Sequence, residues 1–253
     1  MSTLSCNEET SQDTLLNGRV LLLQPKEGYR AAIDPVLLAA AIPAKNGQNA
    51  VELGLGTGAA ALCLLDRVPA MAGICGLELD PGQVELAHRN AALNKRENQL
   101  QIVRGDAAHP PRSLPRNHFD HAFMNPPYLE SNRHDSPASA RKASAHVETG
   151  EGFETWIRQA GKLLKPKGWL TIIHRADVLD RILAALPPAF GGITVFPLWP
   201  KAGAPAKRVI IAAQKGGRAP CRLLPGLVLH NAKGYTIEAD AILRGGASID
   251  LGR

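Results

Sequence analysis

The chain has 253 residues, 45% of them hydrophobic and 21% charged, with a formal net charge of +6; this is ordinary globular composition, which excludes a low-complexity or fibrous chain and supports one large α/β domain with small additions. Cys6, Cys63, Cys75 and Cys221 form no CxxC pair, which argues against a disulfide scaffold and a metal site, and Cys63 and Cys75 read as small buried hydrophobes. No cationic leader precedes an apolar run, and the most apolar early stretch, residues 31–44, is broken by Asp34, Pro35 and Pro43 before it could cross a bilayer, so the expected setting is the cytoplasm.

In chain order, residues 1–16 read as a disordered leader. The runs 20–24 and 29–33 flank a Pro-Lys-Glu-Gly turn and read as a hairpin. Asp34-Pro35 then offers an N-cap and a first-turn proline to a helix over 36–42. From residue 50 strands and helices alternate. Strands are expected at 50–53, 73–79, 100–103, 119–124 and 169–173, and helices at 59–67, 81–93, 153–164 and 178–186. Such alternation implies a parallel sheet covered on both faces. Strands at 193–196 and 208–213 have no helix between them and are expected to pair antiparallel. This layout resembles the Rossmann-like class I methyltransferases, with a seven-stranded, mostly parallel sheet. The expected division is a leader over 1–16, a hairpin and helix over 17–48, the core domain over 49–216 and an extension over 217–253.

At the end of the first core strand stands Glu52-Leu53-Gly54-Leu55-Gly56-Thr57-Gly58. Glycines there let the backbone turn sharply and approach a bound nucleoside, and ligands of such sheets bind outside the carboxyl ends of the strands. Glu78 closes the second strand, where a carboxylate can accept from ribose hydroxyls. The spacing Gly54-x-Gly56-x-x-Ala59 also fits a dinucleotide fingerprint, so a nicotinamide enzyme is a competing reading. Three features favour S-adenosylmethionine: Glu52 with Gly58 in an ExGxGxG pattern, Asp106 after the third strand, where it can meet the adenine amino group of the cofactor, and the motif that ends the fourth strand.

That motif is Asn125-Pro126-Pro127-Tyr128. Consecutive prolines fix φ and carry no N–H. The Asn125 side-chain oxygen and the Pro126 carbonyl can then accept both hydrogens of one amino group. An adenine amino nitrogen is a poor nucleophile because its lone pair is delocalised into the ring. Holding its N–H bonds localises that pair, and positioning supplies much of the remaining rate. Tyr128 offers a face on which an extruded base can stack. A sulfonium methyl needs no strong general base, and the lone His121 reads as structural. No cysteine lies near residues 120–130 to serve as the nucleophile of pyrimidine C5 chemistry. No carboxylate cluster suits a metal-dependent O-methyltransferase.

Charge is uneven. Residues 1–160 hold 15 Lys and Arg against 18 Asp and Glu, whereas residues 161–253 hold 14 against 5. Seven cations and no acid lie between Lys201 and Thr236. Such a block attracts polyanions, although charge runs are often no more than a solvated surface. Together with the base-handling motif it points to RNA. Arg133, Arg141 and Lys142 beside the motif, and Lys201, Lys207 and Arg208 in the last hairpin, are the candidate phosphate contacts.

Taken together, the ExGxGxG loop, Glu78, Asp106 and the Asn-Pro-Pro-Tyr motif resemble the methyltransferase small domain family. Within it the chain is most similar to the bacterial tRNA adenine-N6 methyltransferases that act on valine tRNA. The likeness extends to Gly28-Tyr29-Arg30 with Asp34, to Ala140-Arg141, to Leu164-Lys165-Pro166 with Gly168, and to Tyr235-Thr236 with Glu238. The Ala/Ser-rich stretch 131–146 and the basic carboxyl-terminal block depart from it. The resemblance implies that Glu52, Gly54, Gly56, Gly58, Glu78, Asp106 and Asn125 bind S-adenosylmethionine, that residues 125–128 hold the base, and that the partner is tRNA, with no metal and no membrane. Protein glutamine-N5 and ribosomal guanine-N2 methyltransferases share the motif or a close variant and remain alternatives, as does an RNA-binding protein with a vestigial cofactor site.

Overall fold

In the computed structural model, which describes residues 10–27, 30–127 and 152–252, the strand–helix alternation from residue 50 folds into one sheet. Its parallel strands are β3 (Asn49–Leu53), β4 (Gly73–Glu78), β5 (Leu100–Arg104), β6 (Phe119–Met124) and β7 (Leu164–Arg175). Helices α2 (Ala59–Arg67), α3 (Pro81–Leu93) and α4 (Phe153–Leu163) connect them. A shorter helix, α5 (Leu179–Ala185), leads to β8 (Phe190–Lys201) and β9 (Arg208–Lys215), which pair antiparallel as expected.

Beyond the seven expected strands the sheet continues. The segment 217–253 adds β10 (Arg222–Leu223), β11 (Leu227–Asn231) and β12 (Gly234–Tyr235) to it, then ends in α6 (Ile237–Leu243). The strand order is β12-β11-β8-β9-β7-β6-β3-β4-β5, with β10 also beside β8. Because β11 runs parallel to β8, Leu227 sits opposite Leu198 and His230 opposite Lys201. Without this segment β8 would leave a row of backbone groups bare on the sheet edge.

Apolar side chains fill both faces. On one, α1 (Asp34–Ala41), α2, α3 and α6 pack through Leu37, Leu38, Leu62, Leu65, Ala87 and Ile242. On the other, α4 and α5 pack through Trp156, Ile157, Ala160 and Ile182. Helix α2 is buried along most of its length because its first seven positions, Ala59 to Leu65, are all Ala, Leu or Cys, with no polar stripe. Cys63 and Cys75 are buried, and burial pushes the Cys75 thiol up to about 11 and that of Cys63 further.

The amino-terminal region differs from expectation in two ways. The hairpin pairs β1 (Thr10–Leu15) with β2 (Val20–Pro25), so residues 10–16 are ordered structure rather than leader, and 31–33 form no strand. The turn lies at 16–19, where Leu16, Asn17 and Gly18 take positive φ; Asn-Gly is the strong local turn signal. The far edge of β2 is met by side chains instead of a strand. Asn90 Oδ1 accepts from Leu23 N at 2.7 Å and Asn94 Oδ1 from Leu21 N at 2.9 Å, while their amides donate back to the Leu23 and Leu21 carbonyls. Residues four apart on a helix lie on one face, so the pair spans two residues of β2.

The second difference is Asp34. It lies inside α1, whose N-cap position is Ile33 with no side-chain cap bond. The Asp34 carboxylate instead receives Arg208 Nε at 3.0 Å from β9.

Candidate active site

The carboxyl ends of β3 and β6 meet at a cleft lined by Gln24, Ala31, Pro35, Glu52, Gly54, Leu55, Gly56, Thr57, Ala59, Ala60, Gln83 and Asn125. Its floor is the glycine loop between β3 and α2. Gly54, Gly56 and Gly58 have φ of 76°, 56° and 87°, a region that side chains disfavour. A Cβ on Gly54 would lie 2.7 Å from the Trp156 ring of α4, so that position is closed from below. A Cβ on Gly56 would meet nothing within 4 Å: it would occupy open space at a residue that lines the cleft.

The loop is held from three sides. Gly54 N and Leu55 N donate to the Leu77 carbonyl at 2.9 and 3.0 Å. Gly56 N donates to Glu78 Oε2 at 2.7 Å, and Glu78 Oε1 accepts from Leu79 N and Asp80 N, each at 2.9 Å. The fully buried Asn90 donates to the Thr57 carbonyl at 2.9 Å while it pins β2. A carboxylate has about four lone-pair positions, so Glu78 retains acceptor capacity beyond its three backbone donors.

Glu52 is 3% exposed, and its Oε2 has no hydrogen-bond partner among the described residues. Burial pushes its carboxyl well above the usual range; a backbone hydrogen bond with Ala61 works against this, and the Glu78 charge adds to it. A buried acid with one unpartnered oxygen at the wall of a cleft suits a positively charged ligand. S-adenosylmethionine carries an ammonium and a sulfonium. The cradle open above Gly56, the orphaned Glu52 oxygen and the acceptor Glu78 together fit that cofactor.

Asn125 follows β6 and lines the same cleft as Gly54 and Gly56; Pro126 is buried and Pro127 exposed. Asp106 lies beyond β5 and outside the cleft lining. Its Oδ1 accepts from Ala108 N at 2.8 Å, and its Oδ2 lies 3.0 Å from His109 Nδ1. His121 is buried, with Nε2 2.9 Å from Gln48 Oε1 at the opposite end of the sheet. Tyr128, Arg133, Arg141 and Lys142 lie outside the described residues. Lys201 and Lys207 are exposed at the end of β8 and just before β9, whereas Arg208 is engaged with Asp34 and with the Lys207 carbonyl.

Several cleft residues carry no sequence motif. Gln24, 2% exposed, lines it from the hairpin, braced by a bond to Asp13 at 2.7 Å and by one from Ala31 N to its Oε1 at 2.7 Å. Gln83 reaches it from the first turn of α3, which Asp80 caps through Gly82 N and Gln83 N. His174 is buried near the carboxyl end of β7, one strand over from β6, with its ring 5.2 Å from that of Phe153. Burial and nearby arginines pull its pKa down to about 4.

The methyltransferase small domain model matches residues 32–195. A Porphyromonas gingivalis protein named tRNA1(Val) (adenine(37)-N6)-methyltransferase is 37% identical over 142 residues, 54% of each chain. A protein of the same name from Tolumonas auensis is 26% identical over 162 residues, 64% of this chain and 65% of its own. The chain thus matches about half to two-thirds of the length of these relatives. The crystal structure of a predicted O-methyltransferase from Agrobacterium tumefaciens superposes with a TM-score of 0.71 at 26% identity, covering 85% of this chain and 98% of that one. The glycine cradle, the acid that ends β4 and the Asn-Pro-Pro corner that ends β6 all lie within or beside the matched segment, and the chain belongs to the methyltransferase small domain family.

Proposed function

We propose that the chain transfers a methyl group from S-adenosylmethionine to the exocyclic N6 of an adenine in tRNA. One observation carries the reading: Asn125 lines the cleft that the glycine loop and Glu52 build, and two prolines follow it. In this assignment Glu52, Gly54, Gly56, Gly58 and Glu78 hold the cofactor, and Asp106 accepts from its adenine amino group. The cofactor supplies an already activated methyl group. The protein's task is then to orient a weak nucleophile. Asn125 Oδ1 and the Pro126 carbonyl accept the two amino hydrogens, turning the nitrogen lone pair out of conjugation. Pro126 brings no N–H of its own to that corner, which favours a donor from the substrate. Tyr128 stacks on the base. The similarity to two relatives named as tRNA adenine-N6 enzymes supports adenine in tRNA over a protein glutamine or a guanine N2, and a tRNA substrate places the reaction in the cytoplasm. Among the described residues no helix is long and apolar enough to cross a membrane.

The test is Asn125→Ala assayed on unmodified valine tRNA, with nucleoside mass spectrometry as readout. Loss of N6-methyladenosine with cofactor binding kept supports the reading. An unchanged rate overturns the role of the corner, and a methyl found on another atom overturns the substrate.

A further inference from the structure

The basic carboxyl-terminal block splits into two groups once its residues are placed on the sheet. Strands β7, β8 and β11 all run toward the edge where the cleft opens. Lys201 ends β8, Lys207 immediately precedes β9, and Lys233 lies in the β11–β12 turn, so all three lie along the cleft edge. All are exposed, and among the described residues none enters an ion pair. The remaining cations of the block are occupied or lie elsewhere. Arg208 binds Asp34, Arg222 donates to the Leu251 and Gly252 carbonyls and to Thr194, and Lys215 donates to Asn117 and the Leu164 carbonyl. Arg218 follows β9 at the far edge.

Side-chain contacts join the segments that carry Lys201 and Lys233. His230 and Tyr235 face each other across the β11–β12 ladder with ring centroids 4.7 Å apart and planes 27° apart. Tyr235 also packs on the core, and Asn231 Oδ1 accepts from Lys233 N at 2.8 Å, which fixes the turn that carries the lysine. His230 Nδ1 lies 3.3 Å from the Pro200 carbonyl, joining this turn to the end of β8. From β6, which carries Asn125, the path to β8 is three strand steps and to β11 four, or about 14 and 19 Å at roughly 4.8 Å per step.

We infer that Lys201, Lys207 and Lys233 form one phosphate-binding rim that seats the base-paired RNA flanking the extruded nucleotide. The inference rests on the reading of the substrate as tRNA and names the surface that holds it. An N–H-poor corner grips the base, and a separate row of cations sets the angle of the stem. No acid occurs in the sequence between Lys201 and Thr236, and Asp34, which lies beside Lys207 at the same edge, is paired with Arg208.

Lys45 is exposed just before the amino end of β3, at the edge away from the cleft. The test compares the wild type with a Lys201→Ala, Lys207→Ala, Lys233→Ala triple variant and with a far-edge control, Lys45→Ala with Arg218→Ala, on unmodified valine tRNA. The triple variant is expected to raise KM for tRNA at least tenfold. It should flatten the dependence of log affinity on log salt by up to about one unit per lysine, with kcat and S-adenosylmethionine affinity unchanged. The control should leave both readouts at wild-type values. If the wild type methylates this tRNA and the triple variant keeps its KM and salt slope, or the control loses as much, the rim is refuted while the function stands. If the wild type neither binds nor methylates tRNA, the RNA reading itself fails and the rim falls with it.

Discussion

The backbone N–H of Gly56 donates to Glu78 Oε2 across 2.7 Å, tying the glycine loop to the end of the next strand. A residue expected to bind a ligand therefore also shapes the loop that cradles it. Glu78→Ala would leave three backbone donors without this acceptor. It should cost about 1–3 kcal/mol of stability and weaken S-adenosylmethionine binding at least tenfold. Chemical denaturation alongside titration calorimetry checks both, and intact cofactor affinity would contradict the shared role.

Glu52 gives a prediction of opposite sign for stability. Its folded-state pKa is raised, so its contribution is present below the unfolded value and is lost as pH rises through the folded one. At neutral pH the acid therefore costs stability, and Glu52→Gln should raise the melting temperature of the cofactor-free protein. A cationic cofactor favours the ionised acid, so binding should release protons. The calorimetric enthalpy in buffers of different ionisation heat reports that release, which Glu52→Gln should abolish along with much of the affinity.

His174 acts through acid pH. With a folded-state pKa of about 4 against an ordinary 6.5, its neutral form stabilises the fold above pH 6.5, and that contribution is lost as pH falls from 6.5 toward 4. The ceiling is about 3 kcal/mol. Denaturation midpoints of His174→Gln should lose this slope while the wild type keeps it.

Arg208 separates a structural cation from an RNA-binding one. Its bond to Asp34 joins α1 to β9, so Arg208→Ala should lower stability by about 1–3 kcal/mol and leave the salt slope of tRNA binding unchanged. A fall in that slope with unchanged stability would return Arg208 to the RNA surface.

The strands and helices of the core were legible because their signals are local. Alternating runs and glycines after β3 each fix their own neighbourhood. Asn125 was legible for the same reason, since two prolines constrain the chain whatever surrounds them. Distance in sequence hid the rest. Nothing near Asp34 announces a partner 174 residues away, so it reads as a cap. Residues 10–15 are polar and half exposed, and their order comes from pairing with β2, which α3 in turn holds through Asn90 and Asn94. Gln24 belongs to the cleft only because that hairpin docks there.

Asn90 and Asn94 imitate a neighbouring strand for β2, and Asn90 reaches onward to Thr57 in the cofactor cradle. Loss of the cofactor should therefore loosen the amino-terminal hairpin, and each should report on the other. Amide exchange at Leu21 and Leu23 would serve as a remote gauge of whether the nucleoside cradle is intact, read at two residues outside the cleft lining.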